Sequence, residues 1–437
     1  MKYASQISEM INAFSPEPLK IEQMDKFYCN DTMEFRMSDK YSSPMEDIFD
    51  ICQEAGEDNA FLLLGHKGCG KSTELNRLSA KFEEKGYKVK TIVCSMDLDL
   101  FNIVYSDLFI LMGEALLKIA EECGGKISKA ILEDIKNFWS EGIKTTSTAK
   151  LETASVETGV SAEPPGILSS ILDIFVKIKA DLKYNEETRL EYRKKISVRS
   201  SEWMKLLSKV SEEILRQTNG KAPIIIFEDL DKLNPEDAWK VFYNYAAILS
   251  GMPFPVIYTF PIGLSYDARF SALEAYFVTK TLPMIKIETI EGEPFCDGIN
   301  VIKEIVEKRA SLDLFEPDVL ERLIRCTGGS LRDLFHAINA SAKRAERRMS
   351  TVISMEDADR ALEELKTSLT RRIEKKDYEF LINIYQGNRE LIEDKQMLLK
   401  MLQASVVLEY NGKRWHNVHP LVVSFFKEQG MIGDVGE

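Results

Sequence analysis

The chain has 437 residues, 44% of them hydrophobic and 29% charged. At about 150 residues per domain this is enough for roughly three folded units without a disulfide or metal staple. Lys+Arg 57 against Asp+Glu 70 leaves a net charge of −13, which argues against a nucleic-acid coat protein but leaves room for a local basic face. The seven cysteines, at 29, 52, 69, 94, 123, 296 and 326, are odd in number and form no CxxC pair. They argue against a disulfide scaffold or zinc ribbon and for a reducing, cytoplasmic setting. The opening MKYASQISEMINAFSPEP does not read as a signal peptide. No apolar run reaches the roughly 18 residues of a membrane helix, so no membrane partner is expected.

Residues 1–57 read as a polar lead-in ending in a short amphipathic helix at 45–55. The apolar run 61–64 predicts a buried parallel strand stopped by a glycine loop. A helix at 72–85, a β-branched strand at 88–94 and a long helix at 100–122 follow. Residues 143–166 turn to Thr, Ser, Ala, Glu and Lys and close on Pro164-Pro165-Gly166, which reads as a mobile insertion or an exposed hairpin. Helices are expected at 167–182 and 199–217, and a strand at 224–227. Asn234-Pro235-Glu236-Asp237 carries an N-cap, an N1 proline and acidic first-turn residues. Strands at 256–260 and 282–287 complete the alternation. The chain is then helical from 295 to about 366, and 375–429 reads as helices, a Tyr410-Asn411-Gly412 turn and a short ribbon. Strands alternating with helices, then two appendages, predict an α/β core.

The strongest motif is Gly65-His66-Lys67-Gly68-Cys69-Gly70-Lys71-Ser72. It fits G-x-x-x-x-G-K-[ST] between a strand and a helix, the context in which backbone N–H groups and a helix N-terminus cradle phosphates. Lys71 would reach the β/γ-phosphates and Ser72 would hold Mg²⁺. Gly65, Gly68, Cys69, Gly70 and Thr73 complete the nucleotide-binding candidates. A second strand ends in Glu228-Asp229-Leu230-Asp231, where a Mg·ATP hydrolase needs one acid for the metal and another for the attacking water. Glu228 is assigned to the metal side and Asp229 to the water; the reverse order stays open.

These motifs resemble the AAA+/STAND group of P-loop ATPases, as GHKGCGKS and IIIFEDLDKL show. The resemblance implies a three-layer α/β P-loop NTPase core of the ASCE type, at 58–292, with a helical insertion at about 100–218. It also implies ATP/ADP and Mg²⁺ as ligands and slow ATPase turnover. Thr259 falls where such proteins carry sensor 1. Gly328-Gly329-Ser330-Leu331-Arg332-Asp333-Leu334 is similar to the sensor 2 turn of origin-recognition initiator ATPases, so Arg332 would touch the γ-phosphate from a lid at 293–368. The last segment, 369–437, resembles a winged helix. There His419, within WHNVHPLV, would stand for the histidine that meets the ADP β-phosphate. Arg269 is the candidate arginine finger toward a neighbouring copy.

Lys343, Arg344, Arg347 and Arg348 share one helix, and Lys366, Arg371, Arg372, Lys375 and Lys376 form a second basic group. Either could lie on DNA or simply face solvent. The apolar face of 167–182 offers a partner surface or packs on the protein's own core. The sequence thus points to an ATP-driven switch that couples nucleotide state to self-association or to a separate effector protein, as in bacterial antiviral defence or signalling. An initiator- or loader-type DNA-binding ATPase and a nucleotide-bound scaffold with little turnover are the two alternatives.

Overall fold

The computed structural model describes residues 1–37, 43–54, 59–140, 166–387, 389–390, 392–410 and 415–433. Most of the readings for 143–166, and the Asn411-Gly412 turn, lie outside the described residues. The longer helices are α1 Pro44–Glu54, α2 Lys71–Glu84, α3 Tyr105–Glu122, α4 Lys129–Ser140, α5 Ile167–Tyr184, α6 Glu186–Gln217 and α7 Pro235–Phe242. They continue with α8 Cys296–Glu307, α9 Val319–Cys326, α10 Leu331–Arg347, α11 Met355–Thr370, α12 Tyr378–Tyr385, α13 Lys395–Gln403 and α14 Pro420–Glu428. The strands are β1 Ala60–Gly65, β2 Lys88–Val93, β3 Pro223–Glu228, β4 Val256–Phe260, β5 Val278–Leu282, β6 Val407–Tyr410 and β7 Trp415–Val418.

The first five strands form one parallel sheet in the order β2-β3-β4-β1-β5. β1 and β3 are apolar on both faces because helices cover both, as a parallel sheet requires. Leu62, Leu64, Ile225, Phe227 and Tyr258 pack toward α3 and the helices after it. Phe61, Leu63, Ile224 and Ile226 pack toward α1 and α2, which gives three layers. The β6–β7 antiparallel ribbon sends Leu408, Tyr410 and Trp415 into that second core.

Four expectations are corrected. The last core strand is Val278–Leu282, not 282–287, because Pro283 has no N–H for a ladder. As an edge strand its first four residues are only half buried, which hides it from an apolar pattern. The helix expected at 199–217 begins at Glu186, where Asn185 caps Thr188 N, and its non-helical φ/ψ at Arg199 marks a bend. The long helix begins at Tyr105, after a short turn at Leu100–Asn102. The N-terminal segment is not a loose lead-in: Ala4, Met10, Ala13 and Phe14 are fully buried. They lie in one core with α8 to α11, and Ala4 bridges Ala310. Residues 167–182 face inward, burying Ile171, Phe175, Ile178 and Leu182, so the own-core reading of that face is the one observed. Among the described residues no helix is long and apolar enough to cross a membrane.

Candidate nucleotide site

β1 sits between β4 and β5, so the loop after it opens at the carboxyl end of the sheet, where α/β folds bind ligands. Gly70 caps α2 with φ +101, and Gly68 has φ +88; L side chains rarely adopt either value. At Gly68 space is also closed, since a Cβ would lie 2.6 Å from Arg332 Cβ. The start of α10 therefore rests directly on the loop.

Lys71 is buried and donates to Gly65 O (2.7 Å) and His66 O (2.9 Å). Its Nζ also lies 2.9 Å from Asp231 Oδ2. Burial opposes charge on both partners, yet Asp231 holds Lys71 above its usual pKa and Lys71 holds Asp231 below, so the pair stays ionised. Glu228 is buried near Ser72; burial and then the neighbouring Asp229 raise its pKa, against the lowering influence of the Ser72 hydroxyl. These two adjacent oxygen donors suit a hard divalent cation. Asp229 stands in the left-handed region, φ +70. It is paired with Lys232 at 2.6 Å and accepts a bond from Ser95.

A cleft with a cavity volume of about 130 Å³ lies over the loop. Lys67, Gly68, Gly70, Lys71, Ser72, Thr73, Asp229, Asp231 and Arg332 all line it. The N-terminal segment supplies the opposite wall, with Leu19, Phe27, Tyr28 and Arg36, and the helical C-terminal region adds Ile305, Arg309 and Phe335. Leu19 N donates to Thr73 Oγ1 (3.2 Å), which ties that wall to α2. Tyr28 donates its hydroxyl to buried Glu74 (2.9 Å). Arg309 lies over the Phe335 ring at 5.2 Å, and burial pulls its pKa down to about 10. Six cationic and four acidic side chains line the cleft, so an acidic protein presents a net positive site to an anion.

Six candidates, Gly65, Cys69, Glu228, Thr259, Arg269 and His419, are not part of the cleft lining. Thr259 is buried, donates to Phe227 O (3.3 Å) and accepts from Leu230 N (3.0 Å); its hydroxyl fastens the β3 end to β4. Arg269 is paired with Asp267 (2.7 Å) and lies over the Trp239 ring at 4.5 Å. His419 is fully buried and caps α14, its Nδ1 accepting from Leu421 N (3.2 Å). Its Nε2 lies 3.8 Å from Asp333 Oδ2, too far for a hydrogen bond. Burial alone would raise the Asp333 pKa, but His419 and then Ser330 hold it lower.

Arg36, Arg309 and Asp231 went unnoticed in the sequence as site residues. The third acid of EDLD was a usable signal for Asp231; no local pattern marks the two arginines. His66 was also passed over. Its ring turns away from the cleft, and its Nε2 accepts from Glu409 N in β6 (2.8 Å). One loop residue thus joins the phosphate loop to the C-terminal ribbon.

No protein-family model and no curated protein sequence matches the chain. Among solved structures it is similar to a Walker-type ATPase of Pyrococcus abyssi, at 13% identity and TM-score 0.47, over 95% of this chain and 99% of that one. It is also similar to the ORC2 protein of Aeropyrum pernix in ADPNP–ADP complexes, at 10% identity and TM-score 0.39, over 96% and 98%. A third similar structure is Cdc6p from Pyrobaculum aerophilum, at 13% identity and TM-score 0.36, over 96% and 98%. These low-identity likenesses carry nothing about activity or partners. The sheet order, the glycine loop after β1 and the acidic end of β3 make this an α/β P-loop NTPase fold with a helical C-terminal region.

Proposed function

We propose that the chain binds ATP and ADP with Mg²⁺ and works as a slow ATPase switch. The observation that carries this reading is convergence: Lys71 and Ser72 from the loop and Arg332 from the lid meet in one positive cleft, with Glu228 close to Ser72. Lys71 and the loop amides would hold the phosphates, and Arg332 would meet the γ-phosphate. Ser72 and Glu228 would hold Mg²⁺, which when bound neutralises phosphate charge. Asp229 would orient the attacking water once Lys232 lets go of it. The slot between Phe27, Tyr28, Ile305 and Phe335 suits a flat base.

ATP would thus pull the lid and N-terminal wall onto the core, and the bond from Glu409 to His66 would carry the change to the C-terminal module. Two helices, a ribbon and a closing helix in that module support the winged-helix reading. The output we favour is self-association or release of a separate effector protein. Arg269, held by Asp267 and Trp239 on the surface, is the residue to test as an in-trans contact.

A DNA-binding role is the second reading. A groove lined by His336, Asn339, Lys343 and Arg347 favours it. Against it, Arg344 is paired with Glu364, Arg348 with Asp357, Lys366 with Glu363 and Glu428, and Lys376 with Glu374. Paired cations release fewer counterions to a phosphate backbone. Solution mass with ADP, ATP and a non-hydrolysable analogue, with and without duplex DNA, tests both. The switch predicts a nucleotide-dependent mass; the DNA reading predicts salt-sensitive binding whatever the nucleotide. If both mass and DNA binding ignore nucleotide, while Asp229→Asn leaves turnover unchanged, a passive scaffold stands instead.

A further inference from the structure

We propose, resting on the nucleotide reading above, that Arg36 is a ligand of the phosphate chain, delivered to the loop by the N-terminal segment. Arg36 is 2% exposed and lines the cleft. Its Nη1 donates to Pro283 O at 2.7 Å, and its Nε has no partner among the described residues. No carboxylate pairs with it among those residues, so a permanent cation is buried with one carbonyl as its partner. Such burial is costly unless an anion completes it.

The place where the anion would sit follows from the loop. A Cβ on Gly70 would lie 3.4 Å from Arg36 Nη2, so the guanidinium edge abuts the turn that opens α2. That turn cradles the α/β-phosphates in a P-loop, whereas the lysine reaches the β/γ pair. Arg332 rests instead against Gly68. Arg36 and Arg332 thus flank the loop from opposite ends of the sequence, one on phosphates common to ADP and ATP, the other on the phosphate that distinguishes them. A guanidinium whose Nε has no partner among the described residues can turn that edge to an oxyanion.

The competing explanation is that Arg36 only clamps the N-terminal segment to the end of β5. Calorimetric titration of the full chain with ADP and with ATP, together with ligand-free melting, separates the two. Arg36→Gln should weaken ADP and ATP in parallel, by roughly 10- to 100-fold for a lost charge-assisted pair, with Arg36→Lys recovering part of the loss. The ligand-free melting temperature should move little. Unchanged affinity in Arg36→Gln overturns the assignment. So does a loss that tracks a lowered ligand-free melting point and is not eased by lysine. If the unaltered protein binds neither nucleotide, the nucleotide reading itself fails, and that outcome is visible before any variant is made.

Discussion

The nucleotide cleft and the helical block between β2 and β3 treat charge and apolar area in opposite ways. In the block, Trp203 stands amid Phe138, Trp139 and Phe175 with ring centroids 5.0, 5.1 and 6.1 Å away, and its indole N–H donates to Phe109 O. Most of its charges pair internally: Arg193 meets Asp107 at 2.6 Å, and Lys179 meets both Asp97 and Glu114 at 3.2 Å, while buried Arg189 donates to Leu182 O at 3.2 Å. In the cleft, Arg36 and Arg309 are buried with no carboxylate partner among the described residues, and Asp229 stays in a left-handed conformation. The block closes most of its charges on itself. The cleft leaves two buried arginines without a carboxylate among the described residues, as a site that must accept an anion would.

The largest effect expected on that contrast is in the block. Trp203→Ala should cost about 3–5 kcal/mol of unfolding free energy, since a large buried ring leaves a cavity. ADP affinity of the folded fraction should hold. A large loss of affinity would mean that the two regions are not independent. Lys71→Ala should reverse the pattern. It should abolish nucleotide binding and also cost about 3 kcal/mol or more, because Asp231 is left buried without its partner. Combining it with Asp231→Ala should restore most of the stability and none of the binding, as denaturant titration and calorimetry would show.

Arg332→Ala should spare ADP but weaken ATP by roughly tenfold or more, about the worth of one charge-assisted hydrogen bond. Equal loss for both nucleotides would move Arg332 away from the γ-phosphate. The smallest effect concerns acid. Burial, opposed by Glu409 and reinforced by Lys71 and His416, pushes the His66 pKa down to about 4. The unfolded chain takes up that proton near 6.5 and the folded one does not. Stability is therefore full above about pH 6.5 and falls as pH drops toward 4, by roughly 2 kcal/mol at pH 5 from this group. Urea titrations of the intact chain and His66→Gln at pH 7 and 5 measure it. The variant should show a shallower loss on acidification. An identical pH slope would remove His66 as the source.

The phosphate loop, its strand and helix, and the acidic end of β3 were legible because each depends on neighbours within a few residues. Glycine conformations, an apolar run and a helix N-terminus are local properties. Arg332 was found for the same reason, through a glycine turn with a serine cap just before it. Thr259 and His419 were assigned from their position in a pattern, which says nothing about where a hydroxyl or ring nitrogen turns. In the folded chain Leu230 N and Leu421 N take those atoms. The N-terminal wall was missed because its buried residues sit on short turns with no sustained period.

By itself, then, the sequence determined the α/β order, the loop chemistry and the acids, all of them set by local backbone conformation and hydrophobic period. Only the tertiary structure decided that the first 37 residues wall the cleft, that Asp231 holds Lys71, that Arg36 stands at Gly70 and that His66 reaches the ribbon. Those contacts join residues from about 34 to more than three hundred positions apart. They form because the packing of three cores brings distant segments to one end of a parallel sheet, and no local period encodes that end.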